Sequence, residues 1–304
     1  MKRTKNPAKE AEYRKRAADL VAQMTLHEKV SQMLSWAPAI ERLGIPAYNW
    51  WSEGIHGVGR AGTATVFPQA IGMAAAFDED MMEQVGNAIG VEARGKYNMC
   101  RAHGDRDIFK GLTVWAPNIN IFRDPRWGRG HETYGEDPFL TSRLGVRFVE
   151  GMQGDDPDYL QAAACAKHFA VHSGPESDRH HFNAIVSKQD LWETYLPAFR
   201  ALVKEAGVEA VMGAYNRTNG EPCCGSKTLL KDILRDKWHF DGHVTSDCWA
   251  IKDFHTGHMV TDGPVESVAL AVNNGCDLNC GSAFLHLQEA YERGLVSEEA
   301  ITEA

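Results

Sequence analysis

The chain has 304 residues, of which 43% are hydrophobic and 24% charged, and its 32 basic and 41 acidic side chains give a net charge of −9. This composition is typical of a globular protein and excludes a disordered or fibrous chain. The acidic balance also argues against binding to nucleic acid through a basic face. No stretch reaches the roughly 18 apolar residues of a membrane-spanning helix, so we expect neither nucleic acid nor membrane as a partner.

The first 16 residues carry charges of both signs up to Arg16, where a secretory signal would have its apolar core. We therefore predict a solvated helical extension over residues 1–16, one domain over residues 17–304 and a cytoplasmic location. The seven cysteines are an odd number, and Cys223 and Cys224 are adjacent. Without an export signal, these features predict reduced thiols.

The first stretch with helical periodicity covers residues 17–24. Thr25 and Glu28 then have the spacing of a capping box, which predicts the start of a second helix. The same apolar periodicity predicts further helices over residues 79–90, 140–151, 189–206, 228–237, 264–274 and 283–293.

Short, mostly apolar segments alternate with these helices. They predict strands around 48–51 and 71–75, and then over 112–115, 162–166, 209–213, 243–246 and 275–278. Such alternation is typical of parallel βαβ units, and a single α/β fold of the (β/α)8 TIM-type barrel fits the length. Polar residues, among them Lys167, Tyr215 and Asp247, directly follow three of the strands. Since barrel sites form at the carboxyl ends of strands, we expect these side chains to converge.

Several familiar motifs are weak in this sequence. Residues 57–62 match G-x-G-x-x-G, but their neighbours are typical of a loop, so we predict no dinucleotide cofactor. The histidine pairs and Cys276 with Cys280 lack zinc spacing, and we predict no metal. Neither a cysteine-protease signature nor G-x-S-x-G occurs. Carboxylate chemistry is what remains.

Asp247 ends an apolar strand, and an Asp in that position is, taken alone, more often a helix N-cap or a turn residue. The segment 122–138 adds arginines, acids and aromatic residues within one loop. A sugar needs apolar faces to stack on and hydrogen-bonding groups to pair its hydroxyls. The two segments together predict a carbohydrate site.

With these residues the chain resembles the N-terminal barrel of glycoside hydrolase family 3, in its β-xylosidase and β-glucosidase branch. The motifs that carry the resemblance are Trp-Trp-Ser-Glu-Gly-Ile-His-Gly at 50–57, Phe-Pro-Gln at 67–69, Asp-Pro-Arg-Trp-Gly-Arg at 124–129, Lys-His-Phe at 167–169, Val-Met-Gly-Ala-Tyr-Asn at 211–216 and Thr-Ser-Asp at 245–247. The resemblance implies a retaining, exo-acting β-glycosidase that acts on an oligosaccharide or aryl glycoside without a cofactor. It implies that Asp247 is the nucleophile.

The resemblance further implies that Arg129, Lys167 and His168 hold sugar hydroxyls beside Asp247. We expect their positive charge to keep that carboxylate ionised. By the same resemblance Met212 and Tyr215 line the site.

Trp249 is also expected to bind substrate, one residue later than the aromatic platform of many relatives. Glu53, where glucosidases usually carry Asp, is characteristic of xylosidase-like members, so the resemblance favours a pentose over glucose. Alternatively, Glu53 caps its loop.

The family places its general acid/base in a second α/β sandwich domain. The resemblance therefore implies that this chain is truncated, that the acid/base lies outside it, and that the missing domain packs on the barrel. One alternative is a sugar-binding fragment without turnover. Another is a barrel-only β-N-acetylhexosaminidase, in which His172, or Asp178 with His180, would replace the acid/base pair of that branch.

Overall fold

The structure is a computed structural model that describes residues 3–172 and 174–304. The first two residues of the predicted N-terminal extension lie outside the described part. The α-helices are α1 Pro7–Val21, α2 Leu26–Gln32, α3 Ala70–Ala74, α4 Glu79–Ala102, α5 Pro138–Gln153, α6 Lys188–Asp190, α7 Pro197–Ala201, α8 Asp253–Thr256, α9 Pro264–Asn273, α10 Leu287–Glu292 and α11 Glu298–Glu303. Wider π-helical segments are Leu191–Tyr195, Leu202–Ala206 and Lys227–Lys237, and tighter 3-10 turns are Glu41–Leu43, Gly130–Glu132, Glu176–Asp178, Cys223–Gly225 and Ala283–His286. The strands are β1 Trp36–Ala37, β2 Tyr48–Asn49, β3 Thr113–Val114, β4 Ala163–Phe169, β5 Asn183–Ala184, β6 Ala210–Gly213, β7 Arg217–Thr218, β8 Glu221–Pro222 and β9 His243–Ser246.

The central feature is a closed ring of strands. β3, β4, β6 and β9 pair in parallel in that order. Single parallel bridges extend this sheet on both sides, from Ser52 to Val114 and from Thr245 to Leu278. A further bridge from Leu34 to Asn279 and the antiparallel β1–β2 pair close the ring. The predicted TIM-type barrel is confirmed, with one antiparallel step between its first two strands.

Alternation along the strands divides the core into two parts. On β6, Ala210 and Met212 point into the barrel, while Val211 faces the surrounding helices. The inner cluster also contains Trp115 and Cys165. Because the barrel interior is filled, the site can form only at its mouth, where the strands end.

Most of the predicted elements are present, although β4 continues through Lys167 and His168, which were predicted to follow it. The capping box of α2 is confirmed, since Thr25 and Glu28 bond reciprocally. The predicted strand at 71–75 is wrong. That segment is helix α3, because Ala70, Met73 and Ala74 bury the i, i+3, i+4 face of a helical turn. Around 275–278 the chain makes only the bridge at Leu278.

Helix α1 runs continuously through the predicted boundary between residues 16 and 17. Its side chains are all exposed or half-buried, so it lies on the surface of the barrel. Asn6 caps its start, and Arg14 pairs with Asp241 at 2.5 Å. None of the helices in the described part of the chain is long and apolar enough to cross a membrane.

The prediction that all cysteines are reduced is wrong for one pair. Cys248 and Cys280 form a disulfide across 32 positions of sequence. Ring closure explains the pairing, because it puts the end of β9 beside the next segment of the ring and brings the two Cα atoms to 4.4 Å. The other five cysteines are free, and four of them are buried.

Candidate active site

Asp247 lies at the carboxyl end of β9, at the mouth of the barrel. Its side chain is buried, and Oδ1 accepts a hydrogen bond of 2.8 Å from the backbone N–H of Cys248. The other oxygen, Oδ2, has no hydrogen-bond partner among the described residues, and Nε2 of His168 lies 3.6 Å from it. One carboxylate oxygen is thus oriented by the backbone, while the other is buried beside His168.

Burial governs the charge of this carboxyl. The pKa of Asp247 is raised above its ordinary value of 3.8 by burial, although Arg129 and Lys167 act to lower it. Arg129 and Lys167 act in the expected direction, toward the ionised form, but burial outweighs them in the pKa. Desolvation disfavours the charged form more strongly than the two neighbouring cations favour it.

His168 is neutral, contrary to the expectation that it adds positive charge. Burial first, and Arg129 second, lower the pKa of His168 well below 6.5. Its Nδ1 lies 2.9 Å from Oδ1 of Asn120, an atom that also accepts the backbone N–H of His168 at 2.8 Å. Its Nε2 lies 3.0 Å from Nη1 of Arg129. Both contacts agree with a proton on Nδ1 and a lone pair on Nε2.

Arg129 is held in place by Glu132. Its Nε and Nη2 donate to the two carboxylate oxygens at 2.8 and 2.7 Å, a bidentate pair one helical turn apart. Burial raises the pKa of Glu132, but the hydrogen bond and charge of Arg129 outweigh it and lower that pKa overall. The pair leaves the guanidinium fixed, with Nη1 directed at His168.

Glu53 and Lys167 form the opposite part of the site. Nζ of Lys167 lies 3.9 Å from Oε2 of Glu53, and Oε1 of Glu53 accepts the indole N–H of Trp51 at 2.7 Å. Trp51 in turn stacks on Trp115, with 5.4 Å between ring centroids. Glu53 is therefore aligned by an indole that is itself held by stacking.

Met212 and Tyr215 line the same region. Met212 is buried inside the barrel at the end of β6. Tyr215 lies beside Asp247, and its hydroxyl acts to lower the pKa of that carboxyl. Burial and the adjacent Asp247 raise the pKa of Tyr215 itself, so the phenol remains a hydrogen-bond donor.

Trp249 is the exposed member of the predicted set, with 54% of its surface accessible. Its φ of 63° is unusual for a bulky residue. The backbone is held there by a hydrogen bond of 2.7 Å from its N–H to the carbonyl of Cys280, next to the disulfide. The indole of Trp249 is thereby exposed to solvent, beyond the buried residues of the site.

The histidines considered as replacements for an acid/base do not have the expected partners. His172 is buried, its Nδ1 lies 3.1 Å from Oδ1 of Asn216, and burial lowers its pKa to about 3. It is therefore a poor proton donor near neutral pH. His180 pairs with Asp253, at 2.7 Å from Nδ1 to Oδ2, and not with Asp178 as considered from the sequence.

Sequence reasoning missed Asn120, Glu132 and Asp253. Asn120 lies in the segment after β3 and bonds to His168 across the pairing with β4, so no local pattern marked it. Glu132 was only one of several acids in the segment 122–138. Residues 57–62 lie in irregular backbone. Within residues 3–172 and 174–304, no cluster of three or more His, Cys, Asp or Glu side chains could hold a metal ion.

Comparison with known proteins identifies relatives of this arrangement. The family model described as the glycosyl hydrolase family 3 N terminal domain matches residues 16–304. A xylan 1,4-beta-xylosidase of Xylanibacter ruminicola is 49% identical over 294 residues, which cover 95% of this chain and 34% of that protein. A probable beta-D-xylosidase 7 of Arabidopsis thaliana is 44% identical over 311 residues, covering 95% and 40%. The chain thus spans well under half the length of these relatives.

The solved structures similar to this chain include a β-xylosidase and a β-glucosidase. An exo-beta-xylosidase in complex with a xylobiose aziridine activity-based probe superposes with a TM-score of 0.88 at 35% identity, over 95% of this chain and 38% of that one. A beta-glucosidase from Listeria innocua in complex with isofagomine has a TM-score of 0.81 at 29% identity, over 95% and 44%.

Proposed function

The chain belongs to glycosyl hydrolase family 3, and from this premise we propose that it carries the nucleophile and the sugar-binding residues of a retaining, exo-acting β-glycosidase. The observation that carries the proposal is Oδ2 of Asp247 at the mouth of the barrel, to which none of the described residues donates a hydrogen bond. A carboxylate oxygen that accepts no hydrogen bond keeps a lone pair free for attack on an anomeric carbon, and the Asp247 side chain as a whole keeps 10% of its surface exposed.

In the proposed reaction, Asp247 Oδ2 attacks C1 of the terminal sugar as the bond to the leaving oxygen breaks. The product is a glycosyl ester on Asp247, which water then hydrolyses through a second oxocarbenium-like transition state. Desolvation of Asp247 favours this step, because a carboxylate that is poorly solvated in the free protein gains more by sharing its charge with C1.

Arg129 and Lys167 are the proposed direct partners of the sugar hydroxyls, and His168 is a positioning residue beside them. Arg129 and Lys167 donate hydrogen bonds from fixed cations. His168 presents Nε2, which already accepts from Arg129, so it acts on the sugar through its orientation of that arginine. These contacts hold the ring so that C1 faces Asp247.

Retaining hydrolysis needs a second carboxyl group about 5–5.5 Å from the nucleophile. The other carboxylates described in the site, Glu53, Glu132 and Asp253, are all engaged, with Trp51, Arg129 and His180 respectively. We therefore place the general acid/base outside these 304 residues, on a domain that packs on the barrel.

For the sugar we propose a preference for xylose. The xylosidase names of the relatives favour it. So does Glu53, which is longer than Asp and fills the space that the hydroxymethyl group of glucose would need. Glucose is the second candidate, because beta-glucosidases are also among the structural relatives.

The test is covalent trapping with 2,4-dinitrophenyl 2-deoxy-2-fluoro-β-xyloside, whose good leaving group needs no acid. Intact-mass analysis should show one fluoroxylosyl adduct per chain, and peptide mapping should place it on Asp247. The Asp247→Asn variant should give no adduct, whereas the matched control Asp262→Asn, an exposed position, should react as the native chain does.

An adduct elsewhere, or an equal yield from Asp247→Asn, would refute the nucleophile. Binding of xylose by calorimetry without any adduct would instead favour the sugar-binding module without turnover.

A further inference from the structure

His180 and Asp253 lie at the mouth of the site and take part in none of the steps above. Their side chains are joined by the 2.7 Å contact from Nδ1 of His180 to Oδ2 of Asp253. His180 belongs to the loop after β4, and Asp253 begins helix α8, which follows the loop that starts at Asp247. The pair therefore links the loop of the nucleophile to the loop that follows Lys167 and His168.

A second contact fixes His180 at the level of the backbone. Gly257 packs so closely on the carbonyl of His180 that a Cβ at this position would lie 2.3 Å from the oxygen. Ring and backbone of His180 are thus both held by the segment 253–257. Its position is set by the fold even though the ring lies near the surface.

The ring of His180 is one side chain away from the nucleophile. It packs edge-on against Tyr215, with 4.9 Å between ring centroids, and Tyr215 adjoins Asp247. The side chain of His180 is 49% exposed, whereas that of Asp247 is 10% exposed. His180 therefore stands on the outer side of the buried residues that would hold the terminal sugar.

The two ring nitrogens of His180 have different hydrogen-bonding roles. The carboxylate of Asp253 accepts the proton on Nδ1, which leaves Nε2 as the nitrogen that meets the solvent. A terminal sugar with C1 over Asp247 would direct its leaving group away from the buried residues. On the exposed side, His180 and Arg179 both pack against Tyr215, and Trp249 offers an exposed indole face in the segment between β9 and α8.

We propose that His180, oriented by Asp253, binds the sugar unit on the leaving-group side of the cleaved bond by accepting a hydroxyl hydrogen bond at Nε2. This assignment rests on the proposed function and extends it to the second sugar of the substrate. His180 is then a specificity-determining residue. It contributes to the binding of substrates whose leaving group is a sugar, and it does not contribute to the binding of the terminal sugar.

The experiment compares calorimetric binding of xylose and of 4-thioxylobiose, which resists hydrolysis, to the native chain and to three variants. His180→Ala should weaken 4-thioxylobiose binding about 3- to 10-fold, the size of one neutral hydrogen bond, and leave xylose binding within twofold. His180→Gln, which keeps a polar atom near the position of Nε2, should recover most of the loss. The matched control His181→Ala, an adjacent exposed histidine, should bind both ligands as the native chain does.

Three outcomes would overturn the assignment: no change for 4-thioxylobiose in His180→Ala, an equal loss for both ligands, or the same loss in His181→Ala. Failure of the proposed function looks different, because the native chain would then bind neither ligand.

Discussion

Nη1 of Arg129 lies 3.0 Å from Nε2 of His168, so a permanent cation donates a hydrogen bond to an imidazole that faces the carboxylate of Asp247. The contact assigns the charges around the proposed nucleophile. His168 remains neutral because burial and Arg129 both lower its pKa. Arg129 and Lys167 are therefore the cations that act against the burial of Asp247.

The raised pKa of Asp247 predicts the acid limb of trapping by the fluoroxyloside. The attacking form is the carboxylate, so the trapping rate should fall as the pH is lowered through the pKa of Asp247. The half-maximal rate should come above pH 3.8, the ordinary value. Because this leaving group needs no proton, single-turnover rates measured from pH 3 to 8 report the nucleophile alone.

The Lys167→Gln variant tests whether the charge of Lys167 sets the pH at which the trapping rate falls. Loss of a cation that lowers the pKa of Asp247 should move the limb to higher pH. The exposed Lys188→Gln serves as the control and should leave it in place. A limb that stays unchanged in Lys167→Gln would show that Lys167 does not influence the charge of Asp247.

The same burial predicts that Asp247→Asn stabilises the protein at neutral pH. Since the folded-state pKa is above the unfolded value of about 3.8, the native state binds more protons between the two pKa values, and stability falls as the pH rises through that window. Asparagine carries no charge to desolvate. Thermal unfolding should give a melting temperature a few degrees above the native value at pH 7. The difference should shrink below pH 3.8, where both side chains are neutral.

Much of this site is predictable because its residues are adjacent to strand ends. Asp247 directly follows β9, Lys167 lies near the end of β4 and Tyr215 lies just beyond β6. The barrel brings these strand ends together. The charge states are not predictable in the same way. The neutrality of His168 depends on burial and on Arg129, which is 39 positions away in the sequence.

Contacts between residues of different loops cannot be predicted from the neighbouring sequence either. Cys248 and Cys280 are 32 positions apart, and His180 and Asp253 are 73 apart. Each pair meets only because the ring of strands closes and stacks the loops at one mouth. The capping box of Thr25 and Glu28, by contrast, spans three positions and is fully specified by its own segment.

Glu132→Gln should weaken sugar binding without unfolding the chain. The bidentate contact fixes Arg129 beside His168, and an amide replaces a charge-assisted pair with one neutral acceptor. We expect the dissociation constant for xylose to rise about tenfold, which corresponds to about 1.4 kcal/mol. Glu136→Gln, on the same loop and exposed, is the control in calorimetry. Equal affinities in the two variants would contradict a role for Glu132.

Reduction of the disulfide should lower both stability and trapping. Cross-linking residues 32 apart stabilises the folded chain by about 3–4 kcal/mol in the loop-entropy description. The same bond holds the backbone that follows Asp247, so its loss should also slow adduct formation. The Cys248→Ser/Cys280→Ser double variant should melt lower than the native chain in the absence of reductant, and dithiothreitol should shift only the native protein. Cys100→Ser, at a partly exposed free cysteine, should melt as the native chain does.

Glu53 offers a test of the preference between pentose and hexose. Its carboxylate is aligned by the indole of Trp51 and lies near Lys167, so shortening it by one methylene in Glu53→Asp opens space without removing the charge. Differences of this size in a pocket are worth about 1–3 kcal/mol. We therefore expect the ratio of kcat/KM for an aryl β-glucoside to that for the matching β-xyloside to rise at least about tenfold. Glu53→Gln keeps the length and should keep the native ratio even if both rates fall. If Glu53 merely caps its loop, the two variants will lower both rates together and leave the ratio unchanged.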